Sequence, residues 1–402
     1  MSNDAPRFSY PLLRSNPIEL PEEYARLRQE EPVCPILLAT GDPAWLVTRH
    51  DDVKTVLGDR RFSREAVFRP DSSRYQRILP HPDSILNMDP PRHTRVRKLV
   101  SQAFTPQRVE SLRPRIQQIT DELVGDMAAT TPPVDLNTCF GRPLALRVIC
   151  EMLGVPFADQ GKFGDWTVRI MALTKYTAEE ITQAGADMRA YFTQLLARKR
   201  DDPADDLLSA LISLSDEQGM LTESEVVMLG VALLIAGHDT SVTVLAGAAL
   251  TLIRNPEQLA LLRADPALFP AAVEELIRLS GPGGGVSPRI TASDVELGGM
   301  VVRKGSAVLP YIGSACRDES VFPDPDRFNI RRVVKSQIAF GHGPHFCLGA
   351  GLARAELQIG LWSLFDRFPT LALAVPTDHL KWKDFAGLGG WEKVPVTWDV
   401  RR

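Results

Sequence analysis

Cysteine is scarce in this 402-residue sequence. The cysteines that occur form no paired spacing: Cys34, Cys139, Cys150, Cys316 and Cys347. An odd, dispersed set argues against a disulfide framework and favours a reducing compartment. The first residues also lack a basic region followed by an apolar core, so no signal peptide is predicted. We therefore expect a cytoplasmic protein.

An excess of positive charge is absent as well. The chain has 46 Lys and Arg against 50 Asp and Glu, a net charge of −4. Nucleic-acid-binding proteins normally carry a basic excess, so no nucleic-acid partner is predicted. No glycine-rich stretch follows a strand in the Gly-x-Gly-x-x-Gly form that dinucleotide binding requires. A flavin or nicotinamide site within this chain is therefore not expected.

Only one long apolar run occurs, from Val226 to Ile253. Its length would span a bilayer, and Asp239 is its only fully charged side chain. A charge facing lipid at mid-membrane would be costly, however. We predict a helix through the core of a soluble protein, with no membrane partner.

No internal repeat or low-complexity linker divides the chain, so we predict a single domain over residues 1–402. Short apolar segments on both sides of Gly41-Asp42-Pro43 predict a β-hairpin within residues 33–50. A helix is expected to open at Asp51. Residues 63–91 are rich in Pro, Ser and Arg and predict a long loop, which in a compact domain is usually functional or mobile.

Helical patterns dominate from Arg92 to Ser280. Thr222 and Glu225 have the spacing of a capping box, which predicts the start of the apolar helix, and Asn255-Pro256 predicts its end. Residues 281–312 and the C-terminal tail have β-like character, and 348–368 is an amphipathic helix. The fold class predicted is mainly α with small peripheral β-sheets.

Cys347 lies in a loop containing two glycines and a proline, just ahead of a predicted helix. A thiolate there would face the positive end of the helix dipole, which lowers its pKa and suits it to bind a metal. A buried structural thiol is the simpler alternative. A metal site of His342, His345 and Cys347 is a third, but it has no fourth ligand in view.

The pattern Phe340-Gly-x-Gly-x-His345-x-Cys347-x-Gly349 resembles the haem-binding signature of the cytochrome P-450 family. Further motifs occur in the family's order, so the resemblance extends over nearly the whole chain. It implies a cytochrome P-450 fold, haem b as the cofactor and Cys347 as the axial ligand of the iron.

A second motif is Glu275-Leu-Ile-Arg278, whose charged residues can pair on one helix face. Glu274 is a rival partner for Arg278, and spacing alone does not decide between them. In the family, the motif joins an arginine of a Pro-x-Arg-Phe segment, which Arg327 matches. The resemblance implies that Glu275, Arg278 and Arg327 form a buried structural network.

The third motif, Ala236-Gly-His-Asp239-Thr240-Ser241, lies inside the apolar helix. By itself it is compatible with a satisfied polar group in a core helix. The resemblance implies that Asp239 and Thr240 are catalytic, lying beside the oxygen-binding face of the haem. An acid and a hydroxyl there order water and supply the protons that O–O cleavage requires.

The haem propionates need cationic partners. His93 and Arg97 are four residues apart and share one helix face. The resemblance assigns propionate contacts to these two residues, to Arg289 and to His345. Any one of them alone would be interpreted as an ordinary surface charge.

Two departures from the family pattern stand out. Cys316 replaces a common asparagine, so the turn there is expected to be held differently. Residues 282–285 are unusually glycine-rich, either to leave room for a bulky substrate or as a flexible turn.

These motifs predict a haem-thiolate monooxygenase that inserts one oxygen atom of O2 into a C–H or C=C bond. Electrons would come from NAD(P)H through a ferredoxin reductase and a ferredoxin. A non-catalytic haem protein and a peroxide-driven enzyme are the alternatives, and the pair Asp239-Thr240 argues against both.

The substrate is predicted to be a mid-sized hydrophobic natural product of secondary metabolism, because the expected pocket walls mix apolar and small residues. The walls are residues 63–91, 166–192, 232–240, 286–290 and 385–388. Four arginines of the first segment could contact an acidic group, although a solvated loop face is favoured: Arg64, Arg69, Arg74 and Arg77.

Overall fold

Helices make up most of the structure, a computed structural model that describes residues 6–281, 288–383, 387 and 389–400. They are α1 (Glu23–Glu30), α2 (His50–Gly58), α3 (Arg92–Val100), α4 (Pro106–Ala128), α5 (Arg142–Leu153), α6 (Gln160–Ile170), α7 (Ala178–Asp201), α8 (Leu207–Asp216), α9 (Glu223–Arg254), α10 (Pro256–Ala264), α11 (Phe269–Ser280), α12 (Ile312–Ala315) and α13 (Ala350–Arg367). The strands are short: β1 (Phe8–Ser9), β2 (Val33–Leu37), β3 (Pro43–Val47), β4 (Phe62–Ser63), β5 (Val134–Asp135), β6 (Arg289–Thr291), β7 (Val295–Leu297), β8 (Met300–Val302), β9 (Ala307–Pro310), β10 (Ala372–Leu373) and β11 (Pro395–Thr397). The predicted fold class is confirmed.

The largest sheet has the strand order β1-β2-β3-β9-β6-β4. Its β2 and β3 form the predicted hairpin, in which Val33 pairs with Val47 and Leu37 with Pro43. Gly41 closes the turn with a φ of 91°, a conformation that glycine adopts without steric cost. Strand β6 carries Arg289 and pairs with β4 and β9, which holds that arginine at a defined position.

The segment in which helical patterns were predicted to dominate is mainly helical, and the short strand β5 lies within it. It follows Pro132-Pro133 and pairs with β11, which also pairs with β10. Consecutive prolines lack the N–H groups that a helix needs, which explains the break between α4 and α5. The two-stranded sheet β7-β8 lies within the predicted β region.

The long helix α9 begins at the predicted capping box. The Glu225 N–H donates to Thr222 Oγ1 over 3.2 Å, and the Thr222 N–H donates to Glu225 Oε2 over 3.0 Å. Asn255 caps the other end and Pro256 opens α10. Both predicted boundaries are confirmed.

Helix α9 packs against α5, α7, α11 and α13. In its most apolar stretch 67% of the residues are buried inside the protein. Those side chains contact other helices, so α9 is the core helix of a soluble protein, as predicted.

Candidate active site

The burial of α9 is interrupted at its centre. Every residue from Glu225 to Leu234 and from Val242 to Leu250 is buried, whereas Ala236 is exposed and its neighbours Ile235, Gly237, Thr240 and Ser241 are partly exposed. Exposure in the middle of a core helix means that a cavity opens onto it. We call this stretch, residues 235–241, the open turn of α9.

The loop 63–91 packs near α9. It contains two short 3₁₀ turns, and the second, Ile85–Asn87, contacts α9. Leu86 in that turn is 50% exposed although the segment packs on the core helix. The Gln76 side chain ties the loop to the end of α6 by donating to the Ile170 carbonyl over 2.9 Å.

The two predicted catalytic residues both lie at the open turn. The Thr240 hydroxyl donates to the Ala236 carbonyl over 2.7 Å, one turn back along the helix. Its oxygen keeps lone pairs that can accept a hydrogen bond from the cavity. Asp239 is buried beside His238, whose Nδ1 lies 2.9 Å from the Leu234 carbonyl oxygen. Burial lowers the pKa of His238, while the Asp239 carboxylate acts in the opposite direction.

Cys347 lies three residues before α13, in the loop that the sequence singled out. Its N–H donates to the Phe340 carbonyl over 2.8 Å, so the two ends of the signature are joined by the backbone. Gly341 and Gly343 have φ of 78° and 71°. A Cβ on Gly343 would lie 2.7 Å from the Leu57 carbonyl oxygen of α2, so this close approach requires glycine.

The thiol of Cys347 does not have the lowered pKa that the sequence predicted. Burial raises its pKa, while the Gly349 N–H and the charges of Arg97 and Arg354 act in the opposite direction. The prediction considered the helix terminus but not the depth of the sulfur. A bound metal cation would offset this effect of burial on the pKa, because metal ligation deprotonates a thiol.

Arginine and histidine side chains gather around this loop. Arg97 on α3 donates from Nη2 to the Phe346 carbonyl over 2.5 Å, which connects α3 to the residue before Cys347. The rings of His93 and His345 lie 4.1 Å apart, centroid to centroid. Burial lowers the pKa of His93 to about 4 and that of His345 to about 2, and neighbouring arginines add to both shifts.

Arg289 of β6 belongs to the same group. It is only 3% exposed, and its Nε and Nη2 have no partner among the described residues. The Nε2 atom of His93 is buried and unpartnered as well. Burial lowers the pKa of Arg289 to about 10. An unpaired buried cation such as Arg289 is costly, so its free nitrogens beside the His93 ring indicate that an anion binds there.

Arg64 joins these residues, contrary to the expectation of a solvated loop face. It is buried, and its Nε donates to the Leu86 carbonyl over 2.6 Å. Burial and then the neighbouring Arg289 lower its pKa to about 9. We call Arg64, His93, Arg97, Arg289 and His345 the cation cluster. Arg69 and Arg77 are exposed, which agrees with the expectation of a solvated loop face.

Glu275 and Arg278 form a buried ion pair, as predicted. Arg278 donates from Nε over 2.7 Å and from Nη2 over 2.9 Å to the Glu275 carboxylate. The rival Glu274 pairs with Arg354 instead. The predicted third member is wrong. Arg327 is exposed, and Arg332 donates from Nε to Glu275 Oε1 over 2.9 Å.

The physical reason for this correction lies in the loop after Phe328. Arg332 bonds the Pro323, Asp324 and Arg327 carbonyls, so the chain curls around its guanidinium. Arg327 therefore contributes its backbone oxygen to the network rather than its charge. We call Glu275, Arg278 and Arg332 the Glu275 network.

Cys316 is held by the same network. Its carbonyl accepts from Arg278 Nη1 over 2.8 Å, and burial raises the pKa of its thiol to about 11. The turn that departs from the family pattern is thus fixed through its backbone. Residues 282–287, 384–386 and 388, which include the glycine-rich stretch and parts of two predicted pocket walls, lie outside the described residues.

Comparison with known proteins agrees with this geometry. The cytochrome P-450 family model matches residues 11–163 and 161–382. A mycinamicin IV hydroxylase/epoxidase of Micromonospora griseorubida is 42% identical over 399 residues, which cover 99% of this chain and 100% of that protein. A nocardicin C N-oxygenase of Nocardia uniformis subsp. tsuyamanensis is 43% identical, over 97% of this chain and 98% of its own length.

A solved structure also has the same fold over nearly the whole chain. The crystal structure of the mycinamicin VIII C21 methyl hydroxylase of Micromonospora griseorubida superposes with a TM-score of 0.92 at 33% identity, covering 98% of this chain and 100% of that one. The fold and these matches define a haem-dependent oxidoreductase. The chain belongs to the cytochrome P-450 family. It is a monooxygenase that uses haem b, O2 and electrons passed from NAD(P)H by redox partners, and its substrates are hydrophobic.

Two members of the site had no signal in the sequence. Arg64 was indistinguishable from the other arginines of its loop, and Arg332 is one of two adjacent arginines outside any motif considered. Both are recognisable only by their burial, which depends on distant parts of the chain.

Proposed function

We propose that Cys347 binds the haem iron and that the cation cluster binds the haem propionates, principally through His93, Arg97, Arg289 and His345. The observation that carries this proposal is the set of buried, unpartnered nitrogens on Arg289 and His93 beside the cysteine loop. Two propionates would supply the acceptors that these donors lack. Haem bound in this way activates O2 for insertion into the substrate.

The iron ligand is tested by spectroscopy. The reduced carbon monoxide complex should show the red-shifted Soret band of a thiolate ligand, and Cys347→Ala should lose it. Cys316→Ala and Cys34→Ala are matched controls, because both thiols are buried and neither belongs to this loop, and both should retain the band. A thiolate spectrum that persists in Cys347→Ala contradicts the assignment.

Asp239 and Thr240 are proposed to deliver protons at the open turn. The exposed Ala236 beside them gives O2 and water access to this side of the helix. Thr240 would accept a hydrogen bond there and hold a water, and Asp239 would exchange protons with it. Only the Thr240 hydroxyl has to rotate. The Ala236 carbonyl that it now bonds keeps its backbone hydrogen bond within α9.

Thr240→Ala should keep haem content and substrate-induced spectral shifts but divert reducing equivalents from product to hydrogen peroxide. Asp239→Asn should mainly slow turnover. The measurement is product and peroxide formed per NADPH consumed. Thr251→Ala is a matched control, because its hydroxyl bonds the Gly247 carbonyl in the same way near the end of α9. Unchanged coupling in Thr240→Ala contradicts the role.

The substrate is proposed to be a mid-sized hydrophobic natural product, such as a polyketide, terpenoid or modified peptide, oxidised in secondary metabolism. The exposed apolar residues Leu86, in the turn that contacts α9, and Ala236, on α9, support this class, and so do the mycinamicin and nocardicin substrates named for the relatives. A screen for substrate-induced shifts of the haem spectrum tests it. Shifts with small polar compounds alone would contradict it.

A ferredoxin, reduced by its own reductase, is the proposed electron donor. Lys98 and Arg95 on α3 are exposed, and Phe346, which is 41% exposed, precedes Cys347. Arg95 also pairs with Glu225, so part of the positive charge of α3 is already neutralised. Steering by the remaining charge should weaken with salt, since the Debye length is about 8 Å at physiological ionic strength. A reduction rate that does not depend on salt contradicts this docking surface.

The compartment and the domain organisation are also proposals. Scattered, unpaired cysteines support the cytoplasm, and Cys34, Cys150 and Cys316 are buried free thiols. One haem-binding domain over residues 1–402 is supported by the α9 packing that joins the N-terminal and C-terminal halves. Limited proteolysis that released a stable fragment would contradict the single domain.

A further inference from the structure

The loop 63–91 contains a cavity to which the proposed function gives no role. The cavity measures about 440 Å³, is partly open to solvent, and lies between this loop and Pro288, the residue before Arg289 of β6. Ligand sites in proteins commonly have volumes of about 300–1,000 Å³, so it is large enough to hold part of a mid-sized molecule. We call it the loop cavity.

The lining of the loop cavity combines apolar surface with positive charge. Val67, Ile78 and Leu79 supply aliphatic groups, and Leu79 is 42% exposed. Arg64 and Arg74 are the charged members of the lining, and no carboxylate lines it among the described residues. A ligand there meets aliphatic surface and positive potential, which together suit an apolar molecule that carries an anionic group.

Arg74 supplies the free donors of the loop cavity. Its N–H donates to Asp42 Oδ2 over 2.6 Å and its carbonyl accepts from Thr40 Oγ1, so the hairpin turn fixes its backbone. Its guanidinium is partly buried and has no hydrogen bond or ion pair with another described residue. A guanidinium presents several N–H groups in a planar fork that matches the two oxygens of a carboxylate.

Other polar side chains of the lining already have acceptors within the protein. Arg64, Ser73 and Gln76 each donate to a backbone carbonyl, over 2.6, 2.7 and 2.9 Å respectively. Arg64 therefore adds positive charge to the loop cavity, whereas Arg74 adds both charge and unused donors. Arg77, three positions later in the same loop, is exposed and does not belong to the lining.

One end of the loop cavity lies close to the core helix. Asn87 belongs to the lining and ends the 3₁₀ turn Ile85–Asn87, which contacts α9. Leu86 in the same turn is 50% exposed. A molecule held at Arg74 therefore has an apolar surface available in the direction of α9.

We propose that the loop cavity anchors a carboxylate group of the substrate through bidentate hydrogen bonds from Arg74, and that the apolar remainder extends past Leu86 toward the open turn of α9. This narrows the substrates to hydrophobic acids. Arg74 determines specificity in this arrangement and does not contact the reacting atoms. The inference rests on the proposed function, which supplies the hydrophobic substrate.

The first test compares acids with their esters. Abietic acid and dodecanoic acid, each paired with its methyl ester, present the same apolar body with and without a carboxylate. Isothermal titration calorimetry of the haem-loaded protein at neutral pH measures their binding without relying on the iron. At least one acid should bind about tenfold more tightly than its ester, because the ester lacks the charge-assisted hydrogen bonds. Equal affinities within both pairs, or no binding of either acid, would overturn the proposal.

The second test removes the charge. Arg74→Gln keeps N–H donors and should fold normally, because the guanidinium has no partner within the described protein. The ratio of acid affinity to ester affinity should fall about tenfold, whereas a purely structural defect would lower both affinities together. Arg74→Glu should invert the preference, so that the ester binds more tightly than the acid. Arg77→Gln is the matched control and should change neither affinity. An unchanged ratio in Arg74→Gln overturns the assignment of Arg74.

The outcomes also separate this inference from the proposed function. If acids and esters bind alike while Cys347→Ala loses the thiolate band, the inference alone fails. If the acid preference depends on Arg74 while Cys347→Ala keeps the thiolate band, the assignment of the iron ligand fails and the anchoring site stands.

Discussion

The Glu275 network and the cation cluster both bury arginines, but their hydrogen bonds are satisfied differently. In the network, the Glu275 carboxylate and surrounding carbonyls accept from Arg278 and Arg332. In the cluster, nitrogens of Arg289 and His93 have no acceptor among the described residues. The network is complete within the polypeptide, whereas the cluster has free donors, which we propose are satisfied by an anionic cofactor. Mutations should therefore destabilise the first and affect cofactor binding in the second.

Breaking the network should have the largest effect. Arg278→Leu leaves the Glu275 charge buried with one partner, and removing one member of a buried pair costs about 3–5 kcal/mol. We expect a loss of that size in the free energy of unfolding, measured by denaturant titration of the haem-loaded protein. Arg327→Ala is the control, because this arginine is exposed, and it should change stability by less than about 0.5 kcal/mol. Equal losses in both variants would contradict the corrected network.

Arg332→Ala should have a smaller effect on the same network. Glu275 keeps Arg278, so the loss should approach that of a charged hydrogen bond, about 1.5–3 kcal/mol. The comparison with Arg327→Ala distinguishes the two arginines directly. Greater destabilisation by Arg327→Ala would restore the prediction made from the motif.

Arg289→Leu should weaken haem binding without destabilising the haem-free chain. It removes about one charged hydrogen bond to a propionate, worth roughly 1.5–3 kcal/mol, or about 10- to 100-fold in affinity. The rate of haem transfer to an excess of a haem-scavenging protein measures this loss. The haem-free variant should be at least as stable as the parent, because an unpaired buried charge is gone. A less stable haem-free variant would mean that Arg289 stabilises the fold, as the members of the Glu275 network do.

The smallest effect should be on the pH dependence of stability, which also distinguishes the cation cluster from the Glu275 network. The folded pKa of His93 is lowered to about 4, below the ordinary value of about 6.5. The unfolded chain then binds more protons, so the haem-free protein should lose stability as the pH falls from about 6.5 toward 4. We expect a loss below about 1 kcal/mol, because the surroundings of the ring can rearrange toward water once it is protonated. Bound propionates favour the protonated ring, so the haem-loaded protein should lose less.

His93→Phe is the check on this last prediction. It should remove part of the pH-dependent loss from the haem-free protein. Thermal unfolding between pH 7 and 4 with and without haem measures the difference. Identical profiles for both proteins would contradict the assignment of His93 to the propionates.

Much of the fold could be predicted from the sequence because the relevant interactions are local. The capping box at Thr222 and Glu225 needs only residues three apart, and the hairpin around Gly41 needs only a turn. The strand β5 was not predicted, because its pairing with β11 joins residues that are distant in the sequence. The haem-ligand loop at Cys347 was recognisable because its glycines and cysteine are contiguous.

The roles of Cys347, His93, Arg97, Arg289, His345, Asp239 and Thr240 remain predictions until the mutants are measured. The structure does place the first five in one region and the last two at the open turn of α9. Sequence spacing predicted the shared helix face of His93 and Arg97. It could not predict that His345, 252 positions after His93, would stack on its ring.

By itself the sequence determined the class of fold, the cysteine loop and the boundaries of α9, since each depends on residues within a turn or two. Only the tertiary structure decided that Arg332 rather than Arg327 binds Glu275 and that Arg64 is buried. These outcomes depend on which distant elements pack together. A charged side chain has the same local pattern whether it faces water or the core, and only the surrounding elements determine its solvation and its partner.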